Sequence, residues 1–191
     1  MSFISFIIPS LGRETLTRAL QSLLDQTDPG WTALVVADHV KDFRLPLSDP
    51  RILSVNLPEK LGLGEHLAGQ IRNIGMQILP GLWHGFLDDD DRLDRKYVQW
   101  LKEEADDRDA VIFRMIYASP RTEDGALILP NGRGLLDGYV GISFAVRSAF
   151  MEEKKVAFES EECEDCHLLQ RMTQAGARLR WSPRIAYYIR H

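Results

Sequence analysis

The sequence predicts an α/β fold in which a mainly parallel sheet is flanked by helices, and three observations carry that prediction. Strand-like and helix-like segments alternate from the N-terminus to about residue 105, the order that βαβ crossovers produce. An apolar run (Leu82, Trp83, Phe86, Leu87) breaks off at four consecutive aspartates, Asp88 to Asp91, so a short buried strand should end where the acids begin. The chain has 191 residues, enough for one domain of this kind with a proper core.

Phe3 to Ile8 reads as the first strand, closed by Pro9 and the small turn Ser10-Leu11-Gly12. Leu16, Ala19, Leu20, Leu23 and Leu24 then recur at helical spacing, which makes roughly Arg13 to Asp25 an amphipathic helix. Asp28-Pro29-Gly30 is a turn, Trp31 to Ala37 a second strand ending at Asp38, and Ile52 to Val55 a short third strand. A glycine-rich segment (Gly62, Gly64, Gly69) leads into a helix through Ile71, Ile74, Ile78 and Leu79, stopped by Pro80-Gly81. The strand before the aspartates comes next, then a helix carrying Tyr97, Trp100 and Leu101, then a strand from Ala110 to Tyr117.

Beyond this point the order loosens. Residues 119–140 read as surface loops, Gly141 to Val146 as a strand, and Arg147 onward as a short helix. The polar stretch Met151 to Glu162 reads as a mobile loop. Glu164 to Ala175 fits a helix stopped by Gly176, and Arg178 to Trp181 and Ile185 to Ile189 are strand-like. Trp83 and Trp181 read as core, and His39, His66 and His84, which lack ligand spacing, as structural or surface residues.

Composition narrows the class. Hydrophobic residues make up 45% and charged residues 27%, ordinary values for a globular protein. A net charge of −5 argues against a nucleic-acid or anionic-membrane partner. The longest apolar runs fall far short of the roughly 20 residues a membrane span needs. Met1 to Pro9 has neither a basic leader region nor a small-residue cleavage site. The expectation is a soluble, cytoplasmic protein. Cys163, Cys166 and His167 spell Cys-x-x-Cys-His, a haem-attachment pattern. Such attachment goes with export, and a zinc site would need two further ligands. The two cysteines are therefore read as small thiols on a helix near a site.

The aspartates carry the chemistry. In open α/β sheets, ligands bind at the carboxyl ends of the strands. Carboxylates about 6 Å apart repel by roughly 3 kcal/mol per pair at an effective dielectric near 20, so the cluster needs water, a basic side chain or a metal. Oxygen-only donors suit Mg²⁺ or Mn²⁺. A solvated turn with Asp91 or Asp94 capping the next helix is the other reading the residues leave open. Gly62, Gly64 and Gly69 do not have the dinucleotide spacing, and no phosphate loop with Gly-Lys-Ser/Thr occurs.

Separated pieces line up across the chain. They are Phe6-Ile7-Ile8-Pro9-Ser10-x-x-Arg13 with Leu16, Ala19-Leu20, Ser22-Leu23-Leu24 and Gln26-Thr27; Arg72-Asn73-x-Gly75; Phe86-Leu87-Asp88-Asp89-Asp90-Asp91; and Glu164-Asp165-x-x-Leu168-x-x-Arg171-Met172 with Gly176. Together they resemble the inverting nucleotide-sugar transferases of glycosyltransferase family 2, which have the GT-A fold. The resemblance implies that Pro9, Ser10 and Asp38 face the uracil of a UDP-sugar donor and that Arg13 and Asp89 belong to the donor site. Asp88 and Asp90 match the family's Asp-x-Asp acids, Asp88 near the ribose and Asp90 holding Mn²⁺ or Mg²⁺ on the diphosphate. Arg72 is implied to meet the donor sugar or a phosphate, Asp165 to be the catalytic base with Glu164 beside it, and His191 to reach the metal or diphosphate. A glycan or other hydroxyl compound would be the acceptor. One departure stands out: where the family often has two acids after the second strand, Ala37 precedes Asp38 and His39 follows.

On this resemblance the chain is a single GT-A catalytic domain over 1–191, with 1–105 as the nucleotide-sugar half and 106–191 as the acceptor and catalytic-base half. It is short enough to be one domain of a longer protein. Two rival readings are a nucleotidyltransferase, which usually opens with a glycine-rich basic loop, and a non-catalytic module that binds sugar nucleotides or carbohydrate. Pro9 to Arg13 holds only one glycine and one arginine.

Overall fold

The computed structural model describes residues 2–62, 68–118, 126–132, 134–136 and 138–189. Strands β1 (Ile4–Ser10), β2 (Trp31–Ala37), β3 (Ile52–Asn56) and β4 (Trp83–Phe86) pair in the order β3-β2-β1-β4, all parallel. Helix α1 (Leu16–Leu24) makes the crossover from β1 to β2 and α2 (Gly69–Ile78) the one from β3 to β4. β1 is buried at six of its seven positions, as a strand covered on both faces must be. Pro9 fits inside it because β4 has already ended: the last β1–β4 pair is Ile7 with Phe86, so the missing N–H removes no ladder bond.

The second half adds β5 (Arg92–Leu93), α3 (Tyr97–Glu104), β6 (Ala110–Ala118), β7 (Ala126–Leu129), β8 (Phe144–Arg147), α4 (Ser148–Lys154), α5 (Glu164–Gln174) and β9 (Leu179–Ile189). β8 inserts antiparallel between β4 and β6, β9 runs parallel to β6, β5 caps β9 from the far side, and β7 pairs with β6. Two reversals restore the original direction. β1, β2, β4, β6 and β9 therefore all end at one edge of the sheet.

Aromatic rings fix the core beneath that edge. Tyr97 lies between Phe6 and Phe113 with ring centroids 5.5 and 4.7 Å away. Phe86, the last residue of β4, is held edge-on by Phe144 and Phe158 at 5.6 and 5.1 Å. Such pairs add about 0.5–1.5 kcal/mol each beyond their burial, and this one anchors the strand end that carries the aspartates.

The sequence reading needs correction in the second half. Met151 to Glu162 is not one loop: α4 runs to Lys154, and Phe158 is buried in the core. Within 119–140, residues 126–129 form β7, whereas residues 119–125 lie outside the described part. The last two strand-like segments are one strand, β9, whose pairing with β6 shifts register between Ile112 and Met115. Trp83 is core, and Trp181 packs partly buried against it. No described helix is long and apolar enough to cross a membrane.

Gly75 sets how closely α2 approaches β1. A Cβ there would lie 2.3 Å from Cγ2 of Ile7, and Ile7 is itself fully buried. Gly75→Ala is expected to cost about 1–3 kcal/mol through overpacking, lowering the melting temperature by roughly 2–4 °C per kcal/mol. Thermal unfolding checks this, and an unchanged midpoint would mean that the helix can lift without loss.

Candidate functional site

The four aspartates do not act as one cluster. The chain turns after β4, with the Asp91 amide donating to the Asp88 carbonyl at 3.1 Å and the Asp88 amide to the Tyr187 hydroxyl at 3.0 Å. Asp89 points inward. It accepts from Ser10 Oγ at 2.8 Å and the Leu11 amide at 3.1 Å, with Arg13 at 3.5 Å. Burial raises its pKa despite those donors. Asp91 is buried too. Asp88 and Asp90 keep 36% and 24% of their side chains exposed. Each faces a cation, Arg72 Nη2 at 2.7 Å from Asp88 and Arg13 Nη1 at 3.3 Å from Asp90. Seating Asp89 against donors and pairing Asp88 and Asp90 with arginines relieves the repulsion that the bare sequence implies.

Arg72 is the centre of the opposite wall. It sits on α2 with 4% of its side chain exposed, its Nη1 2.5 Å from Glu164 and 3.5 Å from Asp165. The ring of Phe158 lies 5.5 Å from its guanidinium. Asn73, one residue on, exchanges hydrogen bonds with the backbone of Phe158, donating at 2.8 Å and accepting at 3.0 Å. The spacing Arg72-Asn73-x-Gly75 thus gives one residue to the acids, one to the segment before α5 and one to close packing on β1.

Asp165 and Glu164 open α5 and differ sharply. Both Glu164 oxygens are engaged, by the Ala68 amide at 3.1 Å, the Gly69 amide at 2.9 Å and Arg72. Asp165 keeps 23% exposure, and its Oδ1 has no hydrogen bond. Burial pushes its pKa up to about 7, with Asp88 and Glu164 adding to the rise and Arg72 opposing it. Asp165 is the more exposed of the pair, at 23% against 5% for Glu164.

These groups line one cleft of about 440 Å³ whose walls also include Pro9, Ser10, Asp38 and Gly62. Asp38 is buried and accepts from the Leu61 and Gly62 amides at 2.8 and 3.0 Å, so part of its acceptor capacity holds its own loop. Arg72, expected to meet the donor, lines the same cleft and is 4% exposed, engaged by Asp88, Glu164 and Asp165. His191 lies outside the described residues, as do His66 and Gly64. Among the described residues, no group of three or more histidines, cysteines or acids is arranged to hold a metal. His39 is exposed, and His84 is buried between the Leu79 carbonyl and Ser148. Neither cysteine is in a disulfide: Cys163 is exposed beside Glu164, and Cys166 is buried on α5, its Sγ accepting from Gln170 Nε2 at 3.5 Å.

Sequence reasoning missed Tyr117 and Ile189, which line the cleft with Ile142. Tyr117 and Ile189 lie at the ends of strands that run in the same direction as β4, a relation visible only once β8 is placed between them.

The family model described as glycosyl transferase family 2 matches residues 5–158, a span that contains the aspartates and α2 but stops before α5. Among solved structures, S. aureus TarS superimposes on 100% of the chain with a TM-score of 0.78 at 18% identity. TarS 1-349 in complex with UDP covers 98% at 0.78 and 19%, and its complex with UDP-GlcNAc covers 98% at 0.75 and 20%. The chain spans 37%, 60% and 58% of those three chains, respectively. No curated protein matches it.

Proposed function

Because the chain belongs to glycosyl transferase family 2, we propose that it moves a sugar from a nucleoside-diphosphate donor to an acceptor hydroxyl, inverting the anomeric carbon. A UDP-sugar is the favoured donor, supported by the UDP and UDP-GlcNAc complexes of the TarS structures that share its fold. The observation that carries the reading is the state of Asp165. It is a cleft-lining carboxyl, 23% exposed, whose buried Oδ1 lies 3.5 Å from Arg72 Nη1, and burial pushes its pKa up to about 7.

In this reading Pro9, Ser10 and Asp38 hold the base, Asp88 lies near the ribose, and Asp89 keeps the Ser10–Arg13 loop in place. Arg13 meets the diphosphate. Asp88 and Asp90 offer partly exposed oxygen donors, a chemistry that fits Mg²⁺ or Mn²⁺, which keep much of their shell for phosphate oxygens. These two acids, with His191, would hold the ion, and when bound it supplies charge stabilisation to the leaving diphosphate. Asp165 accepts the proton of the acceptor hydroxyl as that oxygen bonds to the anomeric carbon. The bond to the diphosphate breaks on the opposite face, and the nucleotide leaves as its anion. The acceptor, a glycan or other hydroxyl compound, approaches past Tyr117, Ile142 and Ile189.

Thermal unfolding with UDP, GDP or dTDP, each with and without Mn²⁺, tests the donor. UDP at 100 times its Kd adds about 2.7 kcal/mol, roughly 5–10 °C for a chain of this size. The shift is expected to require Mn²⁺ and to vanish in Asp90→Ala. A shift with GDP or dTDP alone would replace the base, and no shift with any of them would leave a module that does not bind nucleotides.

A further inference from the structure

We infer that Glu164 is a positioning residue: it locks the base-bearing end of α5 to the donor-side end of α2, so that the base and that cleft wall keep one geometry. The inference rests on the reading of Asp165 as the base. Three features carry it.

First, Glu164 joins parts of the chain about 95 residues apart, its two oxygens accepting from the Ala68 and Gly69 amides. Those amides are orphan donors at the start of α2, which has no side-chain cap of its own. Second, the contact is tight. A Cβ on Gly69 would lie 2.5 Å from Glu164 Oε2 and 2.8 Å from Phe158 Cβ, so only glycine lets the carboxylate reach the amides. Third, the same carboxylate shares Arg72 with Asp165 and Asp88, so its charge helps decide how the guanidinium is divided. Asn73 with Phe158, and Gln70 Nε2 with Ser160 Oγ at 2.6 Å, tie the preceding segment to the same helix. Both oxygens of Glu164 are engaged and its side chain is 5% exposed. Its effect passes through Asp165.

The charged groups facing Asp165 are Arg72 on α2, Asp88 beyond β4 and Glu164 on its own helix. Removing the charge of Glu164 leaves Arg72 more fully to the other two. The test is Glu164→Gln, with the Asp165 carboxyl followed by ¹³C NMR titration against Asp165→Asn as the blank. UDP affinity is measured in the presence of Mn²⁺, and UDP release from UDP-GlcNAc with water as acceptor reads turnover. The expected result is a lower titration midpoint for Asp165, UDP affinity within about threefold of the parent, and turnover reduced about 10–100-fold by misplacement of the base. Gly69→Ala displaces the carboxylate without removing its charge, and is expected to lose turnover by a similar factor. It keeps the test decisive if Glu164→Gln does not fold. An unmoved Asp165 midpoint with unchanged turnover in either folded variant overturns the inference. So does a loss in Glu164→Gln as large as that in Asp165→Asn, which would make Glu164 the base. If Asp165→Asn itself releases UDP as fast as the parent, the reading of Asp165 fails instead, and the NMR midpoint still reports whether Glu164 acts on it.

Discussion

Asp165→Asn is expected to lower turnover by about 10²–10⁴-fold, the usual contribution of a positioned base, while UDP binding stays in place and the folded state becomes more stable above pH 7. The parent's turnover is expected to be level above about pH 7 and to fall tenfold per unit below it, because a carboxyl with a pKa near 7 is already protonated there. The stability effect has the opposite sign to that of an ordinary paired aspartate. The folded chain holds this proton more tightly than the unfolded chain, where the value is near 3.8. Between those two pH values the native state binds more protons, so stability falls as pH rises. The loss is complete above about 7. With the side chain still 23% exposed, it is on the order of 1–2 kcal/mol, and asparagine, which cannot ionise, escapes it. A turnover profile that breaks near pH 4, or an asparagine variant less stable than the parent at pH 8, would count against the assignment.

Arg72→Met should be the most damaging single change to the fold near the site. The side chain it removes is the buried cation between Asp88, Glu164 and Asp165, and burial without a partner charge is what makes such losses large. Breaking a buried pair typically costs about 3–5 kcal/mol, roughly 10 °C or more here. The deficit depends on pH in a definite direction. Without Arg72 the folded-state pKa values of Glu164 and Asp165, already raised by burial, rise further, so lowering the pH neutralises them and narrows the gap to the parent. Urea unfolding at pH 8 and pH 5 reads both effects. Equal stabilities at pH 8 would show that water enters and replaces the guanidinium. Arg72→Lys is expected to fall between the two, since one ammonium cannot span acids that the planar guanidinium reaches from both of its terminal nitrogens.

What could be read from the sequence follows the range of the forces involved. Trp31 to Ala37 is a strand in the structure with the same ends, because a run apolar on both faces needs only its neighbours' periodicity. The aspartates stand at the end of β4 for the same reason. Phe158 could not be found that way: it closes a three-residue apolar run, Val156 to Phe158, in a polar stretch, too short for a period, and is buried because Phe86 and Asn73 wait for it. The direction of Asp89, inward to Ser10 and Leu11, depends on a loop 79 residues earlier. Glu164 looked like a companion acid to Asp165, and nothing local reveals that two amides nearly a hundred residues back take up its oxygens. The two-residue β5 leaves no periodic trace, and the chain order gives no hint that β8 enters between β4 and β6.

That insertion of β8 has a consequence for the order of events on the ribosome. The four parallel strands are all synthesised by Phe86, but the neighbour that covers the outer side of β4 ends only at Arg147. Until then a nascent chain carries an open, apolar strand edge, the kind of surface that recruits other chains. The first 105 residues thus leave the outer side of β4 unpaired, and the cleft wall that carries Tyr117 and Ile189 is added only when β8, β6 and β9 join the sheet.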